Sequence, residues 1–364
     1  MAINVDLDET GKVARRGGVT QVLSGACSSV WSRNGMTFVV HGGDLKRVAP
    51  DYSLTTIATS VGPRVAYGAV NGEVYWTDGS RCGVVGPAGA RGWGVAVPGK
   101  LVPAITTGAM LEGRYEVTMT YVRSDGRESG APASTFVDVP ANGGLVFSSV
   151  PVSSDPLVVW KHIYVSEPNG KLPYLAARLR NSDTSATLRT VVSGMPVRTQ
   201  FMGPAPAGIR VVYYNGRLYV AQGRFLMYSQ PHEYELFDTR SGFIAFQSEV
   251  RTVAAVSDGL FVGTERETAF LDGEDPSTFV YTPKGSAGGV AGTESIVRAD
   301  LVTKEGLGER TVMWHSTEGV MVGTKGGDLK NLTGGRFTFA KSRRGASLFK
   351  IREGTPQFLF SLFR

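Results

Sequence analysis

The chain has 364 residues, of which 42% are hydrophobic, 10% aromatic and only 19% charged, and it contains 47 glycines. An average soluble chain carries about 25% charged residues and about 7% glycine, so this composition excludes long helical bundles and coiled coils. A normal apolar content also excludes wholesale disorder. The formal net charge is +6, and all of the excess lies at one end. Residues 336–364 hold Arg336, Lys341, Arg343, Arg344, Lys350, Arg352 and Arg364 against Glu353 alone, while the other 335 residues carry 31 basic and 31 acidic groups. The bulk of the chain is therefore not a general polyanion binder.

The first residues, Met1-Ala-Ile-Asn-Val-Asp-Leu-Asp8, are acidic early and lack the apolar stretch of a secretory signal. No run approaches the roughly 18 apolar residues of a membrane span. Synthesis in a cytoplasm without membrane insertion is the expectation. Cys27 and Cys82 are too few for a disulfide framework, and no Cys-x-x-Cys occurs. His41, His162, His232 and His315 lie far apart, with no metal-binding pairing. No metal and no cofactor are expected.

A hairpin pattern recurs along the chain. Asn34-Gly35, Asn71-Gly72, Asn215-Gly216, Asp258-Gly259 and Glu318-Gly319 each precede a short run rich in Val, Tyr, Phe, Leu and Met, and Glu353-Gly354 is a weaker sixth copy. Asn-Gly and Asp-Gly supply the positive φ that two-residue hairpin turns need. The residues before four of these turns, Val65–Val70, Val211–Tyr214, Arg251–Val256 and Thr311–His315, also read as strands. The copies at 34 and 71, 215 and 258, and 318 and 353 are 37, 43 and 35 residues apart. That is the period of four-stranded propeller blades. The pattern predicts an all-β chain whose residues 1–102 and 205–364 form a β-propeller of about six blades, five or seven also fitting. Thr20–Leu23 and Val30–Arg33 are expected to pair with Leu348–Arg352 and Gln357–Leu362, closing the ring and hiding raw edges. The step from 258 to 318 is long, which places a loop insertion at Lys284–Thr293, with Gly285, Gly288, Gly289 and Gly292.

Residues 103–204 read differently. Tyr115, Val117, Met119 and Tyr121 alternate with Arg114, Glu116, Thr118 and Thr120, so one face is apolar and the other polar. Strands are predicted at Thr135–Val139, Gly144–Val150, Val158–Ser166 and Leu172–Leu179. This density predicts an inserted β-sandwich. Tyr115–Tyr121 followed by Asp125-Gly126-Arg127-Glu128-Ser129 resembles a fibronectin type III domain, and Trp160–Ser166 fits a central strand of one.

Several further segments carry a wider resemblance: Arg15-Arg16-Gly-Gly, Ser29-Val-Trp-Ser-Arg-Asn-Gly35, Val70-Asn-Gly-Glu-Val-Tyr-Trp76, Arg91-Gly-Trp-Gly-Val95, Tyr234-Glu-Leu-Phe-Asp238, Val262–Leu271 and Gly273-Glu-Asp-Pro276. Together with the Gly113-Arg-Tyr and Asp125–Gly130 blocks, they resemble propeller-type tail hub or nozzle proteins of short-tailed bacteriophages. The resemblance covers most of the chain and is a pattern of turns and strands. It implies a virion protein forming a homo-oligomeric, hexameric ring, docked on an adaptor or portal ring. Phage DNA would exit through the lumen with only transient, non-specific contact, and tail fibres would attach outside. It implies no catalytic residues.

Thr77-Asp78-Gly79 and Ser257-Asp258-Gly259 lack the spacing and the Trp of sialidase repeats. Asp272, Glu274 and Asp275 cluster in a Gly/Pro turn, where solvated acids are expected. No nucleophile elbow, phosphate loop or dinucleotide fingerprint occurs, so the reading is a non-enzyme. The competing reading is a glycan- or receptor-binding propeller with Trp76 and Trp93 stacking on sugars. In the tail reading, Lys341, Arg343 and Arg344 are the candidate ring-docking residues, meeting an acidic neighbour. Gly285, Gly288, Gly289 and Gly292 are the candidate gate loop.

Overall fold

The computed structural model describes residues 5–7, 12–15, 20–33, 35–191, 194–302, 309–334, 336–337, 339, 341–352 and 354–363. Arg16, Asn34, Glu353 and Arg364, each used in the sequence reading, lie outside them. The chain is all-β: among the described residues, the only helical turns are short 3-10 pieces at Ala299–Leu301 and Lys325–Gly327. No helix of the described residues is long and apolar enough to cross a membrane. The chain divides into two compact units. One holds residues 1–90, 206–227 and 244–364; the other holds 91–205 and 228–243.

The first unit is a series of antiparallel meanders. Cys27–Arg33, Met36–His41, Asp44–Val48 and Leu54–Ala58 form one four-stranded sheet in chain order. Ala66–Val70, Glu73–Thr77 and Cys82–Gly86 begin a second, and the chain leaves the unit within the fourth strand, Gly89–Gly92. Arg210–Tyr214 pairs with Arg217–Gln222. Val250–Ala255, Gly259–Thr264, Thr268–Asp272 and Val280–Gly285 make another four-stranded sheet, and so do Ser295–Arg298, Arg310–Ser316, Gly319–Gly323 and Leu329–Asn331. Arg344–Arg352 and Thr355–Phe363 close the series as a hairpin in unbroken register.

The leading strands of these sheets stand side by side in chain order, from Cys27–Arg33 to Arg344–Arg352. This is the propeller-like arrangement that the repeat predicts. Val30–Arg33 lies in the first sheet, paired with Met36–His41, and Thr20–Leu23 forms no strand. The two C-terminal strands pair with each other, not with those N-terminal segments.

Apolar residues fill the spaces between successive sheets. Phe38, Val40, Leu45, Val65, Val74 and Trp76 pack the first two sheets together. Ala254, Phe261, Phe270, Val312, Trp314 and Met321 do so for the two later four-stranded sheets. Each Val, Leu, Phe or Met among them contributes roughly 1.5–3 kcal/mol on burial. Gly68 lets its leading strand approach the next one closely, because a Cβ there would lie 2.6 Å from the Val211 side chain. The predicted turn chemistry holds at Asn71-Gly72 (φ 51° and 75°) and Asn215-Gly216 (φ 39° and 77°). It fails at Asp258-Gly259: Gly259 is extended, and its missing Cβ makes room for the Leu271 carbonyl at 2.4 Å.

The second unit is a β-sandwich. Ala104–Met110, Gly143–Phe147 and Ala186–Leu188 form one sheet. Thr135–Val139, Gly113–Arg123, Val158–Ser166 and Pro173–Arg180 form the other, in that spatial order, so Val158–Ser166 is central as predicted. Tyr115, Val117 and Met119 meet Leu145, Phe147 and Ile163 in the core. Thr118 and Thr120, expected on a solvated face, are buried. The hydroxyl of Thr118 donates to the Pro132 carbonyl and that of Thr120 to Glu128, because residues 128–132 fold back over that face.

Glu235 brings the separate segment 228–243 into this unit. It receives Arg91 Nη2 at 2.6 Å and Arg123 Nη1 at 2.9 Å, while Arg123 Nη2 reaches Asp155 at 2.9 Å. Trp93 Nε1 donates to the Tyr234 carbonyl at 2.7 Å, and its ring meets Phe237 edge-on at 6.0 Å.

Candidate functional site

The two sets of residues singled out in the sequence meet where segment 286–294 runs against the near end of the terminal hairpin, at Arg343–Gly345. Segment 286–294 follows the strand Val280–Gly285, and Lys341 and Arg343 precede the strand that begins at Arg344. The Ala291 amide donates to the Arg343 carbonyl at 3.2 Å, and the Gly345 amide donates to the Ala291 carbonyl at 2.8 Å. Ala291 and Arg344 are thus bridged as parallel partners.

The glycine-rich segment is a packed connection. The Gly289 amide donates to the Thr264 carbonyl, the Val290 amide to the His315 carbonyl and the Gly288 amide to the Thr317 hydroxyl. Ala287, Val290 and Thr293 are buried. A Cβ at Gly288 would lie 2.3 Å from the Glu265 carbonyl, one at Gly289 2.4 Å from the Thr252 hydroxyl, and one at Gly292 2.3 Å from the Gly345 carbonyl. Only Gly285 has open space around it. Three of the four glycines therefore serve close packing, and a gate here would have to break those bonds.

Five arginines line this end. Arg210 Nε pairs with Glu294 Oε1 at 2.8 Å, and Glu294 Oε2 accepts the Gly292 amide at 2.9 Å. Burial raises the Glu294 pKa, with Arg210 acting against it. Arg251 Nη2 meets Glu265 at 2.8 Å, and Arg343 reaches the same oxygen at 3.6 Å. Arg64 lays its guanidinium over the Phe363 ring at 5.1 Å. Arg344 faces Phe363 across the hairpin. Lys341, Arg343 and Arg344 are all exposed. Sequence reasoning missed Arg64, Arg210, Arg251 and Glu294, because each sits beside a different strand and no local spacing links them.

The other candidates resolve as structure. Trp76 and Trp93 are buried, so neither offers a face to a sugar. The Asp78 carboxylate accepts the amides of Gly62, Ser80 and Arg81. Burial pushes its pKa up, but those bonds win and hold it at about 2. Asp258 accepts the Gly326 amide, and Asp275 pairs with Arg217 at 2.8 Å while capping Ser277. Among the described residues, no three His, Cys, Asp or Glu side chains gather as a metal site. An open cleft of about 440 Å³ elsewhere in the first unit is lined by Tyr213, Tyr214, Asn215, Ser257, Glu309 and Lys325, among others.

No family model matches this chain, and no curated protein matches it. Several solved structures are similar. The AfRom2 CNH domain is 8% identical, with 98% of this chain and 85% of that one covered and a TM-score of 0.32. A catalytically inactive virginiamycin B lyase from Staphylococcus aureus, solved with quinupristin, is 11% identical, with 93% and 95% covered and a TM-score of 0.36. PorZ, a surface component of the type-IX secretion system of Porphyromonas gingivalis, is 13% identical, with 89% and 50% covered and a TM-score of 0.21.

Proposed function

We propose that this chain is a structural subunit of a bacteriophage tail, a hub or nozzle ring of several copies that docks on an adaptor or portal ring through its basic end. The observation that carries this reading is that residues 336–364, which belong to the first unit, hold the whole charge excess of an otherwise neutral chain. There Lys341, Arg343 and Arg344 stand exposed. Such a patch suits orientation and docking against an acidic face. The exposed Leu348, Ile351 and Phe363 of the terminal hairpin add apolar area beside it. The turn-and-strand resemblance supplies the ring and the DNA passage.

Quantitative mass spectrometry of purified particles tests this, with copy number set against the portal subunit. About six or twelve copies per particle fit a closed, stoichiometric ring. Absence from the particles overturns the reading.

A second reading, glycan or receptor binding, draws on the 440 Å³ cleft with Tyr213 and Asn215 in its wall. Glycan-array binding by the isolated protein, lost in Tyr213→Ala, is its test.

A further inference from the structure

We propose that Arg64, Arg210 and Arg344 converge at the basic end of the first unit into an oxyanion site that takes a phosphate group. Three structural links bring them together. The Arg64 guanidinium stacks on Phe363, which is the cross-strand partner of Arg344. Gly292, in the left-handed region at φ 93°, presses against the Gly345 carbonyl, next to Arg344. A Cβ on that same glycine would stand 3.1 Å from Arg210 Nη2, so Arg210 ends beside the start of the hairpin.

Charge does not balance there. Among the described residues, Glu294 is the one carboxylate committed to the group, and both of its oxygens are occupied, by Arg210 and by the Gly292 amide. Among the described residues, neither Arg64 nor Arg344 has a carboxylate within ion-pair distance. Counted over the described residues, two positive charges are left over, one of them on the half-buried Arg64. Partly desolvated like charges are unfavourable unless an anion joins them. Burial lowers the Arg64 pKa, and the nearby Arg344 and Arg210 charges lower it further. A bound anion would reverse that pressure.

Geometry selects the class of anion. Guanidinium groups are planar forks of donors that suit oxyanions. Arg64 comes from the segment before Ala66–Val70, and Arg210 and Arg344 from the first residues of two strands. With Arg210 Nε and Nη1 held by Glu294 and the Ile209 carbonyl, donors arriving from three directions match a tetrahedral group with several acceptor oxygens better than a two-oxygen carboxylate. A free phosphate and a phosphodiester of a nucleic-acid strand share this chemistry. The site does not depend on the tail assignment, and Arg343, engaged with Glu265, lies outside it.

Titration calorimetry on the full chain, in phosphate-free buffer at low salt, tests the site with inorganic phosphate and then with a short single-stranded oligonucleotide. Saturable phosphate binding is expected, weakened about tenfold by Arg64→Gln and by Arg344→Gln. Arg343→Gln should change it less than about twofold. Arg344 is exposed, so its variant keeps the test valid if the Arg64 variant misfolds. Oligonucleotide binding that depends on Arg64 would assign the phosphate to nucleic acid. Binding of inorganic phosphate alone would assign it to the free ion. Absence of saturable phosphate binding overturns the proposal. So does an equal loss in the Arg343 variant, which would mean diffuse attraction.

Discussion

Arg123 and Glu235 are 112 residues apart in sequence, and their charged groups meet at 2.9 Å inside the second unit. Arg123 is almost fully buried and also holds Asp155. Arg91 completes the Glu235 carboxylate from the other side. Removing one partner of such a pair leaves a buried charge without compensation. Glu235→Ala is expected to cost about 3–5 kcal/mol. Arg127→Ala, at the half-exposed rim of the same network, should cost less, about 1 kcal/mol. Denaturant unfolding of both variants checks this, and similar small losses would deny Glu235 its anchoring role.

The glycines of segment 285–292 should separate sharply. Gly285→Ala meets nothing within 4 Å and should stay within about 0.5 kcal/mol of the parent. Gly292→Ala combines a positive φ with a 2.3 Å approach to the Gly345 carbonyl, and should cost about 1–3 kcal/mol. Thermal unfolding of the pair would show it. A freely moving gate would tolerate both changes equally.

His315 gives the first unit a sensitivity to acid. Its ring is buried between Phe339 and Phe360, both centroids at 4.7 Å, and among the described residues neither ring nitrogen has a hydrogen-bond partner. Burial lowers its pKa. The unfolded chain takes up this proton at about pH 6.5 while the folded chain resists it. The stability is therefore fully present above that value and is lost as the pH falls toward the depressed folded value. Denaturant midpoints at about pH 7.5 and about pH 5.5 should differ less in His315→Leu than in the parent. An unchanged difference would assign the acid response to other groups.

Reversing the charge of Lys341, Arg343 and Arg344 together to Glu should prevent incorporation into particles if this end docks on an acidic neighbour. The association should also weaken as salt rises, as exposed charge pairs do. Particles that assemble normally with the triple variant would remove docking from this surface.

Local signals carried most of the fold. Asn71-Gly72 and Asn215-Gly216 mark hairpins because only a few residue types accept their backbone angles. The runs read at Thr135–Val139 and Val158–Ser166 are strands with those bounds. What was not legible depends on distance along the chain. Nothing near Glu235 announces that its partners are Arg91 and Arg123. Nothing near Arg210 points to Glu294 or to the hairpin beginning at Arg344. Glycine content was ambiguous for a physical reason: the same residue gives freedom where space is open, as at Gly285, and permits tight contact where it is not, as at Gly288 and Gly289.

The backbone passes between the two units four times, at residues 90/91, 205/206, 227/228 and 243/244. Neither unit is a bead that a single cut releases. A truncation that excises only 91–205 would leave Glu235 and Phe237 behind without Arg91, Arg123 or Trp93. A fragment of 91–205 alone would expose those same partners. The smallest self-sufficient version of the sandwich is a two-piece design, with 228–243 joined to 91–205 by a new linker. Deletion experiments on this protein need that graft before a loss of function can be assigned to a lost domain rather than to a broken one.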